Sequence, residues 1–318
     1  MTPENPYAIS ITNLSHNYKN HAALKNVSFN VSRRSIHGFV GPNGAGKTTT
    51  LKIVATLVKP SKGQVTVLGH DFNKDLGKIR SKIGFMPDHF SMYRQMSVYE
   101  YLDFFGAAYG LVAKTRADVI RDVLVLTDME GRKNDLIKGL SRGMEQRVSL
   151  ARVLVHDPEV LILDEPASGL DPRARIELME ILSELRSLGK TIFISSHILS
   201  ELATLCDGVT ILDRGEVRYS GDMRGLLTHD TVLKAYRLEL EEPCPPLALA
   251  FKQDSSFSHV EVSEDGLIYR LQYDPSAVGT SRILEKVLES AAKVKELRED
   301  LKHLNQAFMD LTQPGVRA

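Results

Sequence analysis

The sequence predicts an α/β protein: a mainly parallel sheet with helices on both faces, a helical insertion within it, and a small α+β domain behind it. Three observations carry that reading. Largely apolar runs at 160–163 and 191–195 read as strands buried on both faces. Helical periods alternate with them. A glycine-rich loop, GPNGAGKTTT from Gly41 to Thr50, joins a strand to a helix.

Residues 8–14 and 23–31 alternate apolar and polar side chains, as strands with one wet face do. Residues 35–40 form a short apolar strand that ends at Gly41. Residues 47–58 fit a helix leaving the loop, and Pro60 stops it. Residues 64–68 and 83–86 are further strands. After Pro87 the character changes. Phe85, Phe90, Tyr93, Tyr99, Tyr101, Phe104, Phe105 and Tyr109 are eight of the chain's 21 Phe and Tyr residues. The pattern from there to about His156 is helical, which defines the insertion at about 88–157. Its rings form either a core or a groove for a partner, with Tyr93, Met96 and Tyr99 expected to be partly exposed.

The α/β pattern resumes at 160–163. Residues 173–188 form an amphipathic helix with Ile176, Met179, Leu182 and Leu185 at helical spacing and Gly189 as cap. A second change near Asp230 separates a main domain, 1–229, from an accessory domain, 230–318. In the accessory domain 232–240 reads as a strand, 241–246 as a turn and 260–273 as a hairpin around Glu264-Asp265-Gly266. Residues 281–291 and 299–311 read as helices.

Lys plus Arg and Asp plus Glu are 40 each, so the formal net charge is zero, and no nucleic-acid partner is expected. The two cysteines, Cys206 and Cys244, have no metal-ligand spacing and read as reduced thiols. The N-terminus lacks the pattern of a secretory signal. No apolar stretch approaches the ~20 residues that span a bilayer, so a membrane role is expected to come through a partner.

Gly41 to Thr48 matches G-x-x-x-x-G-K-[ST]. Gly41, Pro42, Asn43, Gly44, Ala45 and Gly46 let backbone N–H groups wrap an anion, aided by the positive end of the following helix, with Thr49 continuing the turn. Lys47 is expected at the β- and γ-phosphates and Thr48 at Mg²⁺. Asp164 and Glu165 end a buried strand, where open α/β sheets place ligands. Asp164 is the candidate Mg²⁺ ligand and Glu165 the candidate general base for water.

With these elements in this order, residues 8–219 resemble the nucleotide-binding subunit of an ABC transporter. The resemblance implies a P-loop ABC ATPase core, a mixed β-sheet with flanking helices, that binds ATP with Mg²⁺ and works as a dimer of itself or with a related subunit. Leu140-Ser141-Arg142-Gly143-Met144 stands where the family carries its signature, which binds the γ-phosphate of ATP held by the opposite subunit. Ser141 and Gly143 are retained. Arg142 replaces a glycine and Met144 a glutamine, and Arg142 points either to the phosphate or to solvent. Without the family, this segment is an ordinary helix capped by Ser141. Ser168-Gly169-Leu170-Asp171 resembles the family's D-loop at the dimer seam. His197 matches its switch histidine and Tyr18 the aromatic that stacks on adenine. Asp88 stands where most relatives have glutamine, and it is expected to reach Mg²⁺ through water.

The resemblance further implies a separately encoded, polytopic permease and a place on the cytoplasmic face of the membrane. Residues 300–312 are similar to the closing helix of the type 2 exporter branch, which favours export. The alternative is a soluble ABC ATPase acting on ribosomes or DNA. Such relatives carry two cassettes or a coiled-coil insertion, and this chain shows neither.

Overall fold

The computed structural model describes residues 5–19, 21–89, 91–228, 234–273 and 281–299. They fall into two compact units, one reaching Met223 and one starting at Arg224.

The first unit contains two sheets. Strands β1 (Tyr7–Tyr18), β2 (His21–Ser32), β4 (Lys62–Val67) and β5 (His70–Asp71) form an antiparallel sheet in the order β2-β1-β4-β5. The second sheet has six strands in the order β10-β9-β3-β8-β7-β6. Its members are β3 (Ile36–Val40), β6 (Ile83–Met86), β7 (Val160–Leu163), β8 (Thr191–Ser196), β9 (Gly208–Asp213) and β10 (Glu216–Asp222). Five run parallel, and β10 closes the edge antiparallel to β9. The sheet is therefore mixed, and the strands at the N-terminus form a sheet of their own. The alternation in β1 and β2 explains this: each has one dry and one wet face. A strand inside the parallel sheet is buried on both, as β3, β7 and β8 are.

Helix α1 (Lys47–Val54) leaves the glycine-rich loop, and its Leu51, Ile53 and Val54 share a core with Phe29, Phe39 and Phe193 from both sheets. It is shorter than the sequence predicts, because residues 55–58 turn before Pro60. Helix α2 (Leu76–Lys82) precedes β6. The insertion contains α3 (Val98–Ala108), α4 (Ala113–Leu126) and α5 (Arg142–Leu154). A capping box between Ser97 and Glu100 starts α3. Tyr101 is buried there, Met96 is half-buried, and Tyr93, Tyr99 and Phe104 are exposed. Helix α6 (Pro172–Ser187) buries Leu178, Ile181, Leu182 and Leu185, while Ile176, expected on that face, is exposed. Helix α7 (Leu199–Leu202) follows β8, and α8 (Met223–Thr228) follows β10.

The second unit is a βαββαβ arrangement: β11 (Lys234–Leu240), α9 (Pro245–Gln253), β12 (Phe257–Val262), β13 (Ile268–Tyr273), α10 (Ser281–Glu289) and β14 (Val294–Glu299). Its antiparallel sheet runs β12-β13-β11-β14. Leu247 and Phe251 of α9 and Ile283 and Val287 of α10 pack on Leu238, Tyr269, Leu271 and Tyr273. Helix α9 starts at Pro245, a residue pre-set for a first helical turn, inside what the sequence predicts as a turn. Strand β14 is unanticipated. The predicted helix at 299–311 lies outside the described residues except at Glu299, which ends β14, and so does the exporter-like segment 300–312.

Candidate phosphate site

The carboxyl ends of β3, β6, β7 and β8 converge, and each delivers one group: the Gly41 loop, Asp88, Asp164-Glu165 and His197. This is the edge at which open parallel sheets bind ligands.

The loop's shape depends on two glycines. A Cβ at Gly41 would drive into the Leu212 carbonyl oxygen. Gly46 has φ +108°, and its Cβ would fall 2.7 Å from the Ala23 carbonyl oxygen. Lys47 is buried and folds back over the loop. Its Nζ donates to the Gly41 carbonyl at 2.6 Å and to that of Pro42 at 3.3 Å. Tyr18, Asn43, Gly44, Gly46, Lys47, Thr48, Thr49, Asp88, Glu165, Ser168 and His197 line one open cavity of about 470 Å³. Gly41, Pro42 and Ala45 do not line it; Gly41 and Ala45 are buried and Pro42 is half-buried. Tyr18 is exposed at the rim, edge-on to His16.

Glu165 is the most constrained residue of the cavity. Its backbone lies in the left-handed region, φ +49°, which costs a non-glycine residue about 1 kcal/mol or more. Its Oε1 is 3.4 Å from Lys47 Nζ. Its Oε2 is 2.8 Å from His197 Nδ1. A carboxylate only accepts, so the His197 proton sits on Nδ1.

Asp164 lies beneath, almost fully buried. Burial pushes its carboxyl above the ordinary range, and the nearby Asp88 and Glu165 charges push the same way. Hydrogen bonds from Ser195 and Thr48 oppose that. Ser195 was not anticipated. Its Oγ donates to Asp164 Oδ1 at 2.7 Å and accepts from the Glu165 N–H at 2.9 Å, fixing both acids. The available signal was a serine on a fully buried strand, one of the few polar groups there. Asp88 turns Oδ2 toward His89 Nε2, 3.6 Å away, and its buried Oδ1 has no hydrogen-bond partner among the described residues.

Ser141, Arg142, Gly143 and Asp171 are not at this cavity. They line another, of about 540 Å³, with Asp128, Arg147 and Glu177. Ser141 Oγ caps α5 by accepting from the Met144 N–H, and Asp171 Oδ1 caps α6 by accepting from the Ala174 N–H at 2.9 Å. Arg142 is exposed and does not line the phosphate-loop cavity of its own chain; its Nη2 donates to the Ser168 carbonyl at 3.0 Å.

Comparison with known proteins agrees with this geometry. Residues 24–168 match the family model described as ABC transporter. The chain is 31% identical over 315 residues to the linearmycin resistance ATP-binding protein LnrL of Bacillus subtilis, covering 96% of this chain and 98% of that one. It is 34% identical to the Nod factor export ATP-binding protein I of Ralstonia nicotianae, over 70% of this chain and 69% of that one. The dimeric post-hydrolysis structure of the ATP-binding cassette MJ0796, bound to ADP and Pi, superposes with a TM-score of 0.63 at 28% identity, covering 68% of this chain and 99% of that chain. The chain therefore belongs to the ABC transporter family, as one of its ATP-binding, ATP-hydrolysing subunits.

Proposed function

We propose that this chain drives export through a separately encoded membrane permease by ATP-dependent closure of a head-to-tail dimer. One observation carries the reading. Within one chain the phosphate loop, Glu165 and His197 surround one cavity, and Ser141 to Gly143 line another. Two chains facing each other complete both sites, each ATP lying between the loop of one copy and Ser141 and Gly143 of the other. The dimeric MJ0796 cassette supports pairing. The names of the linearmycin-resistance and Nod-factor-export relatives support export. Among the described residues no helix is long and apolar enough to cross a membrane, which fits a peripheral subunit beneath a permease.

In this reading Tyr18 stacks on adenine. The backbone of Asn43 to Thr49 and the Lys47 ammonium hold the phosphates. Glu165 takes the proton from the attacking water, and His197 fixes the Glu165 carboxylate through Nδ1. The donor set also fits Mg²⁺. Thr48 supplies a hydroxyl, Asp164 a carboxylate already repelled by Asp88 and Glu165, and Asp88 Oδ1 an oxygen with its hydrogen-bonding capacity unused. Protein groups are few, as is usual for Mg²⁺ sites that also bind phosphates. Mg²⁺ held by these residues would supply positive charge against the phosphates of ATP.

The Glu165→Gln variant tests the clamp. Incubated with ATP, it should accumulate as a dimer on size-exclusion chromatography, and a monomer only would rule the clamp out. Pull-down from detergent-solubilised membranes should bring down a polytopic protein. Recovery of ribosomes instead would place the chain among the soluble ABC ATPases.

A further inference from the structure

Helix α5 grips the segment that follows Glu165 at two points. Arg142, its first residue, donates from Nη2 to the Ser168 carbonyl at 3.0 Å. Four residues on, and so on the same face of the helix, Gln146 Nε2 donates to the Pro166 carbonyl at 2.5 Å. The Arg142 guanidinium lies against Gly169, where an added Cβ would fall 2.8 Å from Cζ. Gly169 has φ +69°, so the backbone there favours glycine, while an added Cβ would meet only the movable end of the Arg142 side chain.

The gripped segment is itself tied to the candidate base. The Ser168 N–H donates to the Glu165 carbonyl at 3.0 Å, and Ser168 lines the phosphate-loop cavity. A short path therefore runs from the start of α5 through Arg142, Ser168 and Glu165 to Lys47 and His197. The residue that caps α5 is Ser141, which lines the other cavity. A glycine at position 142, as in the usual signature, has no side chain with which to make this link. A charged donor is the stronger kind of hydrogen-bond partner for a carbonyl.

We propose that Arg142 is a positioning residue that couples the two nucleotides of the dimer. A phosphate seated on Ser141 and Gly143 displaces the start of α5, and Arg142 passes that displacement through the Ser168 carbonyl to the Glu165 carboxylate beside the chain's own nucleotide. The coupling rests on the head-to-tail pairing proposed above. Gln146 anchors the segment whether or not the signature is occupied; Arg142, adjacent to Ser141, senses the occupant.

The test is steady-state phosphate release against ATP concentration for the full chain, Arg142→Ala and Arg142→Lys, with a fluorescent ATP analogue reporting binding to the isolated chain. The unaltered protein should give a Hill coefficient near two, the number of sites in the pair. Arg142→Ala should bring it to about one and lower kcat about tenfold, the size of one lost charge-assisted bond, with analogue affinity changed less than about twofold. Arg142→Lys, which keeps a charged donor, should recover part of both. Unchanged cooperativity and kcat in Arg142→Ala overturn the coupling, and so does a lysine variant no better than alanine. Failure of the pairing reads differently: the unaltered protein itself shows a Hill coefficient of one, and Glu165→Gln forms no dimer with ATP.

Discussion

Glu165 Oε2 and His197 Nδ1 lie 2.8 Å apart, and the same carboxylate is 3.4 Å from Lys47 Nζ through Oε1. The candidate base thus has one oxygen on a histidine and the other near the ammonium that is proposed to meet the phosphates. In the proposed reading, arriving phosphates compete with Glu165 for Lys47.

Glu165→Gln removes both the base and the competitor. Phosphate release should fall by about a hundredfold or more, the ordinary range for loss of a general base. ATP binding should be retained or tightened, because Lys47 is no longer shared. Filter binding alongside a phosphate-release assay checks both. His197→Ala should lower kcat while sparing binding, since it removes the orienting contact and leaves the loop intact.

Ser195→Ala tests the support beneath both acids. It deprives a buried carboxylate of a donor and the Glu165 N–H of an acceptor. Leaving such groups unsatisfied costs about 1–3 kcal/mol. Urea unfolding should show that loss. Because the phosphate-loop contacts are untouched, kcat should fall more than KM rises.

These sites differ in how legible they were in the sequence. The strand–loop–helix around Gly41, and the strands at 83–86 and 160–163, are local patterns, and the structure has them with those bounds or close to them. Pairing is only partly local. Strand β1 pairs with its neighbour β2 and β4 with its neighbour β5, but the β1–β4 pairing that joins them into one sheet links strands far apart in sequence. Strands β9 and β10, β14 and helix α9 were not read at all. Ser195 looked like any polar residue in a strand, because its value lies in two partners about thirty positions away. The direction taken by Arg142 was open for the same reason: its partner, Ser168, is set by the path of the chain after β7. Lys47 is legible in the loop motif itself, whereas Tyr18, Asp88 and His197 are legible only through the family pattern, and the convergence of all four needs the sheet order.

Stability should fall in mild acid because of His37. The ring is buried, with Nε2 2.8 Å from Thr210 Oγ1, and burial lowers its pKa from 6.5 to about 4. The unfolded chain then takes up the proton first as pH falls. The stabilisation is complete above pH 6.5 and lost progressively toward pH 4, on the order of 3 kcal/mol. Urea midpoints at pH 7 and pH 5 should differ for the unaltered protein and differ less for His37→Leu. Thr210 keeps its bond with Ser220 in that variant.

Asp164→Asn should separate stability from activity. Burial and two neighbouring acids disfavour the ionised carboxyl in the folded protein. A neutral amide of the same shape still accepts from Ser195. The thermal midpoint without nucleotide or Mg²⁺ should rise, and ATP hydrolysis should be lost, as expected where a site holds strain for function.

Asp88 sits where the family usually has glutamine, and its charge acts on Asp164. Two opposed consequences follow. Without metal the extra carboxylate repels the phosphates and raises the cost of ionising Asp164. With Mg²⁺ present it adds attraction for the cation, directly or through water, from an oxygen with no other hydrogen-bond partner among the described residues. Asp88→Gln removes both effects. Binding of metal-free ATP should strengthen, and the Mg²⁺ concentration for half-maximal hydrolysis should rise about threefold to tenfold, equivalent to about 1 kcal/mol, the size of a unit-charge contact at about 4 Å in the dielectric of water. Mn²⁺ titration followed by electron paramagnetic resonance, with ADP present, reads the metal affinity without turnover. If neither the Mn²⁺ affinity nor the Mg²⁺ dependence moves, Asp88 serves the Asp88–His89 turn and not the metal.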